Sequence, residues 1–223
     1  MTVVAPQAVI DEVRRRLVAL AVDLPFRFQD NTQSEAEAYL GTLTTFEGYE
    51  ENTVAAAEAR LGVAFPKVFR AYLLGMGRKR GQLFCGSDVA ALEELERYKD
   101  DAMVLLRESG VDVSLPAAAV VFLAHQGYTF LFLIADGTMD APTWQYVEGD
   151  AQPRIIAESF ADLLDAELSQ IEANARIARE HGGYYVTVEG GRIARQVHPA
   201  RSSGDRPLDH PQQFKPPPWR FWK

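Results

Sequence analysis

Cysteine and long apolar runs are what this chain has least of. Cysteine occurs once in 223 residues, at Cys85, so an intramolecular disulfide is impossible and a reducing cytosol is favoured. No apolar run approaches the roughly 20 residues that a membrane-spanning helix needs. Residues 1–20 include Asp11, Glu12 and three consecutive arginines within an apolar pattern, which argues against a signal peptide. We therefore expect a cytoplasmic protein that does not use a membrane as a partner.

Positive charge is also scarce. The net charge is -8 and the isoelectric point is about 5.1. Because phosphate recognition needs a basic surface, nucleic acid is not an expected partner. The charge is unevenly distributed. From Arg195 onward six cations meet two anions, so this end carries +4 and the rest of the chain carries -12.

Residue combinations that perform chemistry are missing from the sequence. No zinc-binding HExxH or HxH pattern includes the four histidines, which are His125, His181, His198 and His210. Cys85 has no histidine near it in sequence and is interpreted as a small buried residue. Ser159 lacks the flanking glycines of a nucleophile elbow and is interpreted as a helix cap. We expect no catalytic site, no cofactor and no metal.

The stretch 54–74 predicts two short helices with a break between them. Val54, Ala57 and Leu61 recur on one helical face. Gly62 is predicted to end the first helix, because a residue without Cβ adopts the left-handed conformation at little cost. Pro66 is predicted to start the second helix at its first position. The second helix has an apolar face formed by Phe69, Tyr72 and Leu73.

Three sequence features in this order resemble the SMI1/KNR4 (SUKH) superfamily. They are Leu-Gly-x-x-Phe-Pro at 61–66, an apolar strand–glycine–strand unit at 119–135, and Ser-Phe-x-x-Leu-Leu at 159–164. The resemblance covers about residues 45–172. It implies an α+β fold and a protein partner.

The predicted fold is α+β, with an antiparallel or mixed sheet on residues 119–156 and helices packed mainly on one face. Two apolar runs, 119–124 and 128–135, meet at a predicted hairpin turn at 125–127. They are apolar on nearly every residue, so either both sheet faces are covered or one is left apolar for a partner. An alternating third strand is predicted at 143–147 and a short fourth at 154–156.

Further helices are predicted on both sides of this region. An amphipathic helix presents Ile10, Val13, Leu17 and Leu20 on one face. Another is predicted from Ser87 or Asp88 to about Ser109. The resemblance also implies a short strand before this helix, a role that residues 82–84 can fill. A third follows the capping pair Ser159 and Asp162 and runs to about residue 180.

The C-terminal part predicts a hairpin at 184–196 around two glycines. Residues 197–223 are predicted to be a docked strap, with Trp219, Phe221 and Trp222 inserted into apolar surface; the alternative is that these aromatic residues bind a partner. The expected division is therefore a lead-in at 1–44, a family-like domain at 45–180, and a hairpin with a basic tail at 181–223.

The predicted partner-binding residues are aromatic side chains next to carboxylates, since aromatic anchors with surrounding charge suit a steered interface. The first set lies on and around the third strand and comprises Asp136, Asp140, Trp144, Tyr146 and Glu148. The second lies on the acidic predicted helix and comprises Glu93, Glu94, Asp100 and Asp101. Two simpler readings stay open: Trp144 and Tyr146 can face the core, and the helix can be merely solvated.

Two functions follow from the resemblance. Bacterial members of the superfamily mostly act as immunity proteins that bind a cognate toxin. The toxin is often a basic enzyme that acts on nucleic acids. Fungal relatives are suggested to be intracellular scaffolds or regulators. The alanine- and arginine-rich composition, without long low-complexity arms, favours the bacterial case.

Overall fold

A five-stranded antiparallel sheet is the central element of the fold. The structure is a computed structural model that describes residues 5–21, 41–181, 184–189 and 192–197, with side chains in 5–20 and 41–176. The elements in chain order are α1 (Pro6–Ala21), β1 (Phe46–Glu47), α2 (Glu51–Leu61), α3 (Lys67–Met76), β2 (Lys79–Arg80), β3 (Asp88–Val89), a 3-10 helix (Leu92–Glu94), α4 (Leu95–Glu108), β4 (Ala119–His125), β5 (Thr129–Ile134), β6 (Thr143–Val147), β7 (Arg154–Ala157), α5 (Phe160–His181), β8 (Tyr184–Glu189) and β9 (Arg192–Val197). The sheet order is β3-β4-β5-β6-β7. The predicted α+β fold is confirmed.

The β4–β5 hairpin forms where the sequence predicts it. Gln126 and Gly127 occupy the turn with φ angles of 49° and 80°. Positive φ at both central turn residues is the geometry that matches the twist of the flanking strands. The pairing register shifts between Val121 and Leu123, which marks a bulge in β4.

Both faces of the sheet are covered, which decides between the two readings of the apolar strands. Leu131 and Leu133 of β5 belong to the main core cluster, together with residues of α1, α2, α3 and α5. Phe130 and Phe132 alternate with them and belong to a second cluster, which includes Ala102 of α4. Helices therefore pack on both faces, with most of them on the first.

The main core is built around a group of aromatic rings. Phe160 is fully buried, and its ring centroid lies 5.1 Å from that of Phe69, 5.4 Å from Tyr72 and 5.6 Å from Phe122. Burial of this apolar surface stabilises the fold by about 25 cal/mol per Å². The predicted packing of the 50–74 and 159–180 helices on one sheet face is confirmed.

The residues predicted to begin or end helices lie at helix ends in the structure. One of these ends is shifted by a single residue. Gly62 ends α2 with a φ of 65°. Pro66 is the N-cap of α3, with an extended ψ of 140°, so the helix proper begins at Lys67. At α5 the Ser159 hydroxyl lies 2.7 Å from a carboxylate oxygen of Asp162 and accepts the Asp162 backbone N–H at 3.0 Å, which confirms the capping pair.

Two local predictions around residues 79–95 are wrong. Asp88 and Val89 do not start a helix; they pair with Ala124 and Leu123 as an edge strand, and the α-helix begins at Leu95. The capping chemistry of these positions is overridden by long-range backbone pairing. Similarly, β2 lies at residues 79–80 and pairs with β1, whereas the predicted strand at 82–84 is a turn.

Helix α1 is part of the main core. Ile10, Val13 and Leu17 are buried there, as predicted. The Arg14 guanidinium donates to the carbonyl oxygen of Gly75 in α3 at 2.6 Å, and Arg16 pairs with Glu172 of α5 at 2.8 Å. These contacts hold α1 against two helices of the main body.

The three remaining predictions about chain organisation have different outcomes. The β8–β9 hairpin is confirmed, with Glu189 opposite Arg192. Residues 198–223 lie outside the described residues, so the docked strap stays a prediction. The division at residues 44 and 180 also stays a prediction.

In the part of the chain that the structure describes, no helix has both the length and the apolar character to cross a membrane.

Candidate functional site

A groove of about 300 Å³ lies between α4 and the hairpin end of strands β3, β4 and β5. We call it the acidic groove. Its charged and aromatic walls are Asp88, Arg97, Tyr98 and Asp101, and its floor is Ala102, Leu105, Ala124, Gly127, Thr129 and Phe130. Ligand pockets in proteins take about 300–1,000 Å³, so the groove is large enough for one side chain or a small ligand.

Helix periodicity and strand pairing place these residues together. Tyr98, Ala102 and Leu105 follow helical spacing and face the sheet, which sets Arg97 and Asp101 along the rim. Asp88 pairs with Ala124 across β3 and β4, so both side chains point to the same sheet face. The groove therefore depends on the short edge strand that the sequence did not reveal.

Arg97 organises the charges of the rim. Its guanidinium donates to Glu94 at 2.7 Å and to Asp101 at 3.1 Å, and lies 4.8 Å from the ring centre of Tyr98. The Arg97 hydrogen bond, aided by the backbone N–H of Ala91, lowers the pKa of Glu94 below its usual value. Burial raises the pKa of Tyr98, and the carboxylates of Glu94 and Asp88 raise it further. The Arg97 guanidinium opposes these increases in the Tyr98 pKa in part.

The surrounding surface stays acidic after these pairs form. Between Asp88 and Glu108 the chain has seven carboxylates and three cations. Glu93 and Asp100 are exposed, Glu94 is held by Arg97, and Asp101 lines the groove. Of the four predicted residues, two lie in the 3-10 helix and two in α4, and Glu94 and Asp101 already have Arg97 as an intramolecular partner.

On β6 the structure separates the two predicted aromatic residues. Tyr146 is fully buried with its ring 5.5 Å from Phe130, so the core-facing reading applies to it. Trp144 is half-buried and stacks on Phe132 at 6.0 Å. Its pairing partner in β7 is Ile155, which is 42% exposed. Of the two aromatic residues, only Trp144 can therefore reach a partner.

The three carboxylates around β6 do not form one cluster. Asp136 is exposed, and hydrogen bonds from the hydroxyl and backbone N–H of Thr138 lower its pKa. Asp140 accepts the backbone N–H groups of Phe160 and Ala161 and so caps α5. Glu148 is exposed at the opposite end of the strand, about 17 Å away for five residues.

The structure brings together one pair of chemically reactive residues that the sequence does not predict to be neighbours. The hydroxyl of Ser87 lies 3.1 Å from Nδ1 of His125, which is buried. A serine beside a histidine is the start of a nucleophile–base pair. However, neither Ser87 nor His125 is among the residues that line the groove. No sequence signal links the two, because 38 residues separate them.

Cys85 differs from its prediction. It was expected to be buried, yet it is exposed in the turn before Ser87. The buried members of this turn are Leu83 and Phe84 instead.

Among the described residues, no group of three or more His, Cys, Asp or Glu side chains is arranged to hold a metal ion.

Comparison with known proteins gives one clear match. The family model described as SMI1 / KNR4 family (SUKH-1) matches residues 48–166, which is more than half of the chain. The matched segment runs from the residue before Tyr49 into α5 and contains the whole acidic groove. A comparison with curated proteins gave no significant match.

Proposed function

The chain belongs to the SMI1/KNR4 family (SUKH-1), and from that premise we propose that it is a non-catalytic immunity protein for a cognate toxin domain. Proteins of this family are generally non-catalytic, and membership suggests interaction with another protein. The proposed toxin is a basic protein that acts on nucleic acid. The immunity protein would neutralise it by binding.

The observation that carries the proposal is the acidic side of the molecule around α4. Seven carboxylates against three cations between residues 88 and 108 give this segment a charge of -4. Exposed carboxylates such as Glu93 and Asp100 repel nucleic acid and attract a basic protein surface. Complementary charge of this kind raises association rates and disfavours wrong partners.

The proposed contact surface combines this charge with an aromatic anchor. Trp144 and the acidic groove lie on the same face of the sheet, since Trp144 packs at the edge of the cluster that α4 covers. Asp136 and Glu148 are proposed as charges of the rim. Although they lie at opposite ends of β6, an interface of standard size, about 800 Å² on each partner, can include both. We do not include Tyr146 and Asp140 as direct contacts, because one is buried and the other caps α5.

The test is co-expression with the toxin domain encoded by the neighbouring reading frame, followed by a binding measurement on the purified pair. We expect the chain to restore growth. The double variant Glu93→Lys and Asp100→Lys should slow association at least about tenfold, because both charges are exposed and belong to the proposed contact surface.

A matched control separates charge location from net charge. The double variant Asp11→Lys and Glu50→Lys changes the net charge equally, and both positions are exposed. They lie on α1 and at the start of α2, two helices that cover the opposite face of the sheet. This control should associate within about twofold of the wild type.

The outcomes separate the surface from the function. If both double variants are slowed alike, the proposed surface is wrong. If the wild-type chain neither binds nor protects, the immunity function is wrong and the scaffold function becomes the better explanation.

A further inference from the structure

The acidic groove contains one carboxylate that the protein itself does not use. Asp101 is bonded to Arg97, whereas the side chain of Asp88 makes no hydrogen bond or ion pair with another described residue. Asp88 is exposed at the start of β3 and lines the groove beside Tyr98. An incoming cation would therefore meet Asp88 without first displacing an internal partner.

The groove floor is apolar and suits the stem of a long basic side chain. Ala102, Leu105 and Phe130 line it below the carboxylates. Lysine and arginine bury their methylene groups along apolar surface and keep the charged head among polar groups. The chemistry of the groove matches this division, with an apolar floor and a charged rim.

Two other ligand classes fit the groove less well. A bare metal ion would need several ligands, and no group of three or more metal-binding side chains occurs among the described residues. An anion would need the positive charge of Arg97, but Arg97 is already held by Glu94 and Asp101. The remaining class is an organic cation.

We propose that the acidic groove is a receptor for one arginine or lysine side chain of a protein partner, with Asp88 contacting the charged head and the floor contacting the methylene stem. The choice of a protein partner rests on the proposed function. The groove would fix the register of a basic toxin on the acidic side of α4. Its recognition of a basic side chain can be measured without the toxin.

The test is a titration of the isotope-labelled full chain with N-acetyl-arginine methylamide, monitored by amide chemical shifts. The matched ligand is N-acetyl-citrulline methylamide, which has nearly the same shape and no charge. We expect saturable shifts at Gly127, Thr129 and Asp88 with the arginine amide, with a dissociation constant on the order of 10 mM. The citrulline amide should give no saturable shift. Equal responses to both ligands, or arginine-induced shifts elsewhere only, would overturn the proposal.

Two isosteric variants then test the assigned carboxylate. Asp88→Asn should weaken arginine-amide binding about two- to fivefold, the size expected for one exposed ion pair. Asp11→Asn removes an exposed carboxylate of α1, which packs on the opposite face of the sheet and outside the groove, and it should leave the affinity unchanged. Equal affinities of Asp88→Asn and the wild type would overturn the assignment of Asp88.

The outcome is separable from that of the toxin experiment. If the arginine amide does not bind but the toxin does, the groove proposal is wrong and the toxin uses another part of the surface. If the amide binds in the groove and the toxin does not bind, the groove proposal stands for a different basic protein and the immunity function is wrong.

Discussion

The carboxylate of Asp140 caps a helix that begins 20 residues later, at Phe160. One oxygen accepts the Phe160 backbone N–H at 3.0 Å and the other accepts the Ala161 N–H at 3.2 Å. The first N–H groups of a helix have no partner within the helix, so this side chain supplies what α5 lacks. The contact also joins the β5–β6 loop to the start of the helix that contributes Phe160 to the core.

Replacing Asp140 with alanine should therefore lower stability by about 1–2 kcal/mol, the usual cost of losing a cap. Asp140→Asn should cost less, because an asparagine oxygen can still accept one of the bonds. Urea unfolding at neutral pH measures both. As a control, Asp136→Ala removes bonds that stay within its own loop and should change the free energy of unfolding less. An unfolding midpoint of Asp140→Ala equal to the wild-type midpoint would contradict the capping role.

Local sequence signals were sufficient for much of this fold. The glycine at 62 and the Gln126–Gly127 turn each depend on a backbone conformation that few residues adopt, and both were predicted correctly. The alternating strand at 143–147 was also predicted with its observed bounds. In each case the signal lies within a few residues of the structure that it determines.

The site could not be predicted in the same way, because contacts between distant segments build it. The acidic groove joins residues 88 and 130, and it exists because Asp88 enters a strand although its side chain also suits a helix start. The alternation of β6 correctly placed Trp144 and Tyr146 on one face. Packing decides which of the two side chains is covered by α4 and the loop that follows it. The sequence pattern does not contain that information.

Gly48 is another position whose importance is visible only in the structure. A Cβ atom built on Gly48 would lie 1.7 Å from the carbonyl oxygen of Leu74, where α3 passes the backbone before α2. Gly48→Ala should force this backbone contact apart and lower stability by about 1–3 kcal/mol or more. The comparison is Gly110→Ala, since no atom lies within 4 Å of a Cβ at that position and only the positive φ of 72° is strained. Thermal unfolding of both variants measures the two losses of stability. A smaller loss of stability for Gly48→Ala than for Gly110→Ala would show that the backbone contact between Gly48 and Leu74 is not rigid.

Phe160 should be among the residues on which stability depends most. Its ring is fully buried against Phe69, Tyr72 and Phe122, so truncation leaves a cavity that rigid neighbours cannot fill. We expect Phe160→Ala to cost on the order of 3–5 kcal/mol in urea unfolding. Val104→Ala, at an exposed position of α4, should stay within about 0.5 kcal/mol of the wild type. Melting of Phe160→Ala within a degree or two of the wild type would place the ring outside the core.

Tyr72 should make the protein sensitive to alkaline pH. Complete burial of its phenol raises the pKa from 10.0 to about 12. Because the folded state favours the neutral phenol, this contribution to stability is fully present below pH 10 and is lost as the pH rises towards 12. A shift of this size corresponds to about 3 kcal/mol.

The variant Tyr72→Phe isolates this effect, since it keeps the buried ring and removes the group that ionises. Other tyrosines and lysines also titrate above pH 10, but they are the same in both proteins and cancel in the comparison. Urea unfolding of the two proteins at about pH 8 and about pH 11.5 should therefore show a smaller loss of stability in Tyr72→Phe, by about 2 kcal/mol, because ionisation in the unfolded state is nearly complete at the higher pH. Equal losses of stability in the wild type and in Tyr72→Phe would mean that the Tyr72 hydroxyl reaches water in the folded protein. The packing of α3 against Phe160 would then be looser than the buried ring indicates.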